Sequence, residues 1–339
     1  ELDSANGIFV GRLKDEFNRH ATDRRFTLPF DDLVRHVFIC GVTGSGKTVL
    51  GKAIVEGAVL AGIPVIAVDL KGDLSSIPLV FPDFSSDALA PWIEVRRGQD
   101  KDAVVRAKIG QHWEELAACG LGPVDARLLG EKMSCAVFTP RCGPGIHLAI
   151  SSPLQAPPDV DYLAVNDRPA MLNMIGSYTS SFVKLLFPEK KVGRLDKYKT
   201  FLGELVQYCW ERGERLEGRR GLQRIRDYIQ EPPEDVQNIG GVQLYRFLSP
   251  RQLDELASRV AMCLSGSEQL WFSGVPLSID TLLSRPDDSC TPVTIVNLAD
   301  LPGFDDQMHA VSHLAYELYN WARRRGDCGG DPRILFFLD

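Results

Sequence analysis

Short, almost unbroken apolar runs punctuate the chain, and longer stretches of helical periodicity lie between them. "HVFIC" (His36–Cys40), "IPVIAVDLKGDL" (Ile63–Leu74), Val293–Leu298 and "RILFFLD" (Arg333–Asp339) have the length and β-branched or aromatic content of strands buried on both faces of a parallel sheet. The second of these ends in a polar cluster of Asp69, Lys71 and Asp73. After the first run, "TVLGKAIVEGAVLAG" predicts a helix that stops at Gly62, with Pro64 just beyond. Gly51, Ala53, Gly57, Ala58 and Ala61 keep that helix thin enough to lie close against a sheet. A long amphipathic helix is expected over about Asp305–Arg325, followed by a glycine loop.

The middle of the chain changes character. From about Pro153 to Pro292 the pattern is largely helical, as in "DKYKTFLGELVQYCWERG", and is broken by segments such as "EPPEDVQNIGG". Ser249-Pro250 sets a Ser N-cap before a Pro at the first helical position. Upstream, Ser134–Ile150 predicts two short strands around a Pro/Gly turn that extend the sheet, and residues 83–130 are helical in part. The expected organisation is a core of 1–152 and 292–339 with a helical insertion at 153–291 and a short β segment at 6–12.

Composition changes this picture little. The chain has 339 residues, 44% hydrophobic and 24% charged, enough for one large or two smaller cores. No run of eighteen apolar residues is present and "ELDSANG" lacks signal-peptide character, so the chain reads as cytoplasmic with no membrane partner. Eight single Cys without a CxxC pair are expected to be reduced and mostly buried. A start without Met and a stop at Asp339, on an apolar strand, read as a fragment.

Candidate chemistry begins at Gly41-Val42-Thr43-Gly44-Ser45-Gly46-Lys47-Thr48, which fits GxxxxGK[ST]. In that pattern glycines let backbone N–H groups close around phosphates, Lys reaches the β/γ-phosphates and Thr ligates Mg²⁺. Strand, loop and helix stand in the required order, so Gly41 to Val49 form the expected phosphate cradle. Asp69, Lys71 and Asp73 close the next strand beside the crevice where ligands bind, or else cap a loop. Asp339 closes an apolar strand, the form in which a carboxylate organises the water shell of a nucleotide's Mg²⁺. A GTPase reading fails: Asp69-Leu70-Lys71-Gly72 fits DxxG, but only about twenty residues separate it from Lys47, leaving no room for a switch region. Asn297-Leu298-Ala299-Asp300 also lacks the Lys of NKxD.

"RHVFICGVTGSGKT", "DLKGD", "TIVNLADLP" and "RILFFLD", taken together, resemble the HerA/FtsK superfamily of hexameric motor ATPases, and most closely its HerA-like branch. "NGIFVGR" (Asn6–Arg12) is similar to the short β segment before the phosphate loop in such proteins. The resemblance implies an α/β P-loop fold of RecA-like type, with a mainly parallel sheet flanked by helices and a mainly helical insertion. It implies ATP and Mg²⁺ as cofactors, with Lys47 and Asp339 catalytic and Thr48 and Asp339 on the metal. It also implies a homohexameric ring that moves double-stranded DNA. Two other classes remain open: a similar motor working on protein, and a nucleotide-dependent switch or scaffold partnered with a nuclease. The sensor, the general base and the arginine finger have no matching positions.

The charge balance bears on the DNA reading. The total is −7, yet Lys184 to Arg226 holds twelve Lys/Arg against six Asp/Glu, interleaved with Tyr198, Phe201, Tyr208 and Trp210. Either this is a solvated helical face with aromatics turned inward, or it contacts phosphates. His309 and His313, four apart on one helix, lack the partners of a metal set, and Arg323 to Arg325 suit that helix's C-terminal dipole.

Overall fold

The computed structural model describes residues 7–15, 17, 21–81, 85–141, 143–150, 154–157, 159–301, 303–326 and 333–339. Asn6, Cys142, Pro153, Cys328 and most of the expected loop after Gly326 lie outside the described residues. In chain order the elements begin with β1 (Gly7–Lys14), β2 (Ala21–Pro29), α1 (Phe30–Leu33), α2 (Lys47–Leu60) and β3 (Val65–Asp69). Then come α3 (Ser86–Leu89), α4 (Lys101–Ala118), α5 (Pro123–Lys132), β4 (Met133–Pro140) and β5 (Ile146–Ala149). A helical stretch follows: α6 (Val160–Asn166), α7 (Arg168–Leu186), α8 (Asp196–Glu211), α9 (Gly218–Gln230), a two-residue hairpin of β6 (Asn238–Ile239) and β7 (Val242–Gln243), α10 (Leu244–Phe247) and α11 (Pro250–Cys263). The chain closes with β8 (Val275–Pro276), α12 (Ile279–Leu282), β9 (Thr291–Asn297), α13 (Phe304–Arg325) and β10 (Leu335–Leu338).

The protein is α/β, with a six-stranded sheet in the order β10-β3-β9-β4-β5-β8 flanked by helices, consistent with a P-loop NTPase-like fold. Every pairing in this sheet whose register is described is parallel. Two compact units form, one from Glu1–Phe138 with Ser278–Asp339, the other from Thr139–Leu277.

In the first unit β3 is buried at every position, as a strand covered on both faces must be. Val65 and Ala67 join Ile54, Val55, Ala58 and Val59 of α2 in one apolar cluster, together with Val293 and Ile295 of β9. The alternate residues Ile66 and Val68 are fully buried on the opposite face. The small residues of α2 decide how closely it approaches: a Cβ on Gly51 would meet the Phe337 ring at 2.5 Å, and one on Gly57 would meet the Phe9 carbonyl oxygen at 2.8 Å. β1 pairs antiparallel with β2 beside this helix.

One expected strand is not formed. Residues 36–40 carry no strand hydrogen bonding, and Val37 and Phe38 are exposed, the latter at 87%. Apolar β-branched and aromatic character favours a pleated, half-buried environment, but a strand exists only where a neighbour supplies the ladder, and among the described residues none pairs with this run. Ile39 alone of the run packs onto the core. The cysteines also depart from expectation: of the six described, Cys209 and Cys263 are buried and Cys40 and Cys119 are exposed.

His309 and His313 stack edge to face on α13 at 5.1 Å. Burial, and secondarily the neighbouring His309, pushes His313 down to about 4. An unfolded His near 6.5 therefore binds a proton that the folded chain refuses, so stability falls as pH drops from 6.5 toward 4. Thermal unfolding followed across that window is expected to show the decline, and His313→Gln is expected to flatten it; an identical pH profile in the variant would remove His313 as the cause.

The second unit is built on α7, α8, α9 and α11, with β5 and β8 paired in parallel, Leu148 opposite Val275. Trp210 is the buried anchor of α8: its Nε1 donates to Leu154 O at 2.9 Å and its ring meets Tyr178 edge-on at 6.0 Å. Ser249 caps α11 with Pro250 in its first turn, its backbone N–H donating to Gln252 Oε1 at 3.0 Å. In the basic stretch from Lys184 to Arg226 the aromatics turn inward and five of the twelve cations pair with carboxylates. Tyr198, Phe201 and Trp210 are buried, while Lys190, Arg212, Arg215, Arg224 and Arg226 each pair with a carboxylate. Glu255 alone accepts from Lys190 Nζ at 2.6 Å and from Tyr198 OH at 2.7 Å.

Candidate nucleotide-binding site

The loop Gly41 to Gly46 leads into the N-terminus of α2. Gly44 and Gly46 hold φ of +79° and +89°, a left-handed conformation that glycine adopts without steric cost. The turn is tight as well: a Cβ on Gly41 would stand 2.5 Å from Ser45 Oγ. Ser45 N–H donates to Val42 O at 3.2 Å, and Lys47 Nζ donates to the same carbonyl at 2.9 Å, so the ammonium is drawn over the loop it follows. Gly41 to Gly46 and Val49 are exposed, and Lys47 and Thr48 are half-buried. The first N–H groups of α2 have no acceptor within the helix, and its dipole adds positive potential at the same end. A left-handed glycine loop, a cation and a hydroxyl at a helix start are the donor set a polyphosphate requires, so these residues fit ATP with its Mg²⁺.

Three parallel strands end beside one another. Asp69 of β3 stands opposite Asn297 of β9, and Leu338 of β10 opposite Val68, which carries Asp339 to the same edge. Asp339 N–H donates to Val68 O at 3.2 Å. Lys71 Nζ lies 3.4 Å from Asp339 Oδ2, joining two residues 268 positions apart. Asp339 is largely buried and Lys71 exposed. Phe337 rests on Gly51, so β10 is held against the early turns of α2.

Asp69 differs from its neighbours. It is fully buried, and its carboxylate is consumed by its own loop. Oδ1 accepts from Lys71 N at 3.2 Å and Gly72 N at 2.7 Å; Oδ2 accepts from Leu74 N at 2.8 Å and Ser75 N at 3.2 Å. Asp73 is exposed, and its carbonyl accepts from Ser76 Oγ at 3.2 Å. The structure thus brings Lys71 and Asp339 together and sets Asp69 beneath them as the turn's anchor.

Sequence reasoning passed over the residues that brace this turn. Asn297 Nδ2 donates to Ser75 Oγ at 2.9 Å while its Oδ1 accepts from Ala299 N at 2.9 Å. Gln307 Nε2 reaches Leu298 O at 3.1 Å and Leu70 O at 3.4 Å. The available signal was Asn297 as a polar residue ending a buried strand, weighed in the sequence as a guanine reader and as part of a resembling segment but given no bracing role.

Strand ends, glycine loop and helix start define a protein of P-loop NTPase-like class. Residues 15–93 match the family model of the helicase HerA-like C-terminal domain, a likeness that supports the HerA/FtsK-type superfamily of ATPases. Comparisons with curated proteins and with solved structures found no match. Among the described residues no helix is long and apolar enough to cross a membrane, and no group of three or more His, Cys, Asp or Glu is placed to hold a metal.

Proposed function

We infer that this chain binds Mg·ATP at the Gly41–Val49 loop and hydrolyses it as the motor of a ring-shaped assembly that moves double-stranded DNA. The observation that carries the reading is the loop itself: two left-handed glycines, and a Lys47 ammonium whose hydrogen bond among the described residues is to a loop carbonyl 2.9 Å away. Lys47 exchanges Val42 O for the β/γ-phosphate oxygens, and the amides from Gly44 to Val49 orient the chain of phosphates. Thr48 and Asp339 are the residues that would hold Mg²⁺, which supplies neutralisation of charge developing on the transferred phosphoryl group. Lys71 releases Asp339 for that duty and is then free to face the phosphates. Asp69 and Asp73 position the turn. The HerA-like match favours DNA over protein as the transported polymer.

The test is ATP turnover with and without linear double-stranded DNA, alongside mass in solution. Stimulation of several-fold together with a six-chain mass is expected. A DNA-indifferent monomer would replace the motor with a nucleotide switch.

A further inference from the structure

The geometry points to a second ligand site in the first unit, a pocket between α2, α4 and α5 that takes a small amphipathic amine with the Glu56 carboxylate as its counter-ion. Its cavity is about 230 Å³ and is walled by apolar side chains that include Phe9, Leu60, Leu79, Leu116 and Leu129. It lies on α2 but not at the phosphate loop. At 100° per residue, Ala53, Glu56 and Leu60 fall on the face of α2 opposite Gly51, the face that meets Phe337.

The polar groups around the cavity are not equivalent. Asp125 is spent on capping α5, its Oδ2 accepting from Gly122 N at 2.8 Å. Lys52 Nζ donates to Ser76 Oγ at 2.8 Å. Glu56 sits in the apolar wall with no hydrogen bond to any described residue, its nearest compensation being the charge of Lys52. Burial raises its carboxyl above the usual value, and Lys52 opposes that only in part. His112, on the far wall, is held toward its neutral form by burial, so it adds no competing cation. Glu56 is half-buried on the rim of an apolar cavity and has no hydrogen-bond donor of its own, and an ammonium on an apolar body is the complement that both pairs with the carboxylate and fills the cavity.

Size narrows the class further. At about 30 Å³ for each water displaced, the cavity has room for roughly eight non-hydrogen atoms. Benzylamine matches that size, and benzyl alcohol has the same shape without the charge.

The experiment is a titration of the 339-residue chain with each compound at pH 7, followed by ligand-observed NMR. Benzylamine is expected to saturate a single site with a Kd of about 1 mM or tighter, a range reasonable for so few atoms. Benzyl alcohol is expected to bind at least tenfold more weakly. Glu56→Gln should weaken benzylamine about tenfold, leave benzyl alcohol unchanged, and retain wild-type Mg·ATP affinity as evidence of an intact fold. Ala126→Leu, which fills the cavity from α5 without touching Glu56, should abolish binding of both. Absence of saturation, equal affinity for the two compounds, or an affinity for benzylamine untouched by both variants would each overturn the proposal.

Discussion

Lys47→Ala is expected to lower the affinity for Mg·ATP by roughly ten- to a hundredfold and to abolish turnover while leaving the unfolding midpoint unchanged. The affinity loss follows from a charge-assisted hydrogen bond to phosphate, worth about 1.5–3 kcal/mol. The unchanged stability follows from what Lys47 does in the folded chain: one hydrogen bond to the exposed Val42 carbonyl, which water replaces. Substitutions of this kind usually lie within about ±0.5 kcal/mol. Lys47→Arg is not expected to restore the function, because a planar fork does not occupy the place of a compact ammonium on a flexible stem. Nucleotide titration by fluorescence and thermal unfolding of the same samples separate the two effects. Near-normal turnover in Lys47→Ala would remove the phosphate loop from the mechanism.

Asp69→Ala should act in the opposite sense, on stability first. Four backbone N–H groups converge on the Asp69 carboxylate, and the residue is fully buried. Removing it leaves one buried donor and three half-buried ones without an acceptor, at about 1–3 kcal/mol for the buried one and less for those that water can reach, so a loss on the order of 2–4 kcal/mol is expected. Asp69→Asn presents an amide NH₂ to some of those donors and should fall between the two. Function then suffers through geometry, because the turn that carries Lys71 toward Asp339 is no longer held. Urea unfolding gives the first quantity. An Asp69→Ala chain of undiminished stability that had lost its Mg²⁺ requirement would instead make Asp69 a metal ligand.

These two residues divide what could be read in the chain from what could not. Lys47 was legible because its chemistry is local: a glycine's left-handed φ, a helix start and a cation after it are all fixed within eight positions. Helix caps were legible for the same reason, as Ser249-Pro250 bears out. Asp69, Lys71 and Asp73 were visible as a polar cluster at a strand end, but nothing local tells which carboxylate faces inward. Strand register decides that, and register is set by pairing between residues hundreds of positions apart.

The sequence by itself determined the alternation of buried strands and helices, the glycine loop at the head of α2, and the small residues that let α2 lie close, since each depends on nearest neighbours and side-chain size. Only the tertiary structure decided that residues 36–40 make no strand, that Asp69 anchors a turn while Lys71 meets Asp339, and that Glu56 faces an apolar cavity. Apolar character states a preference for burial, but not which neighbour supplies a ladder or a counter-charge. That is settled when distant segments pack and each polar group either finds a partner or does not.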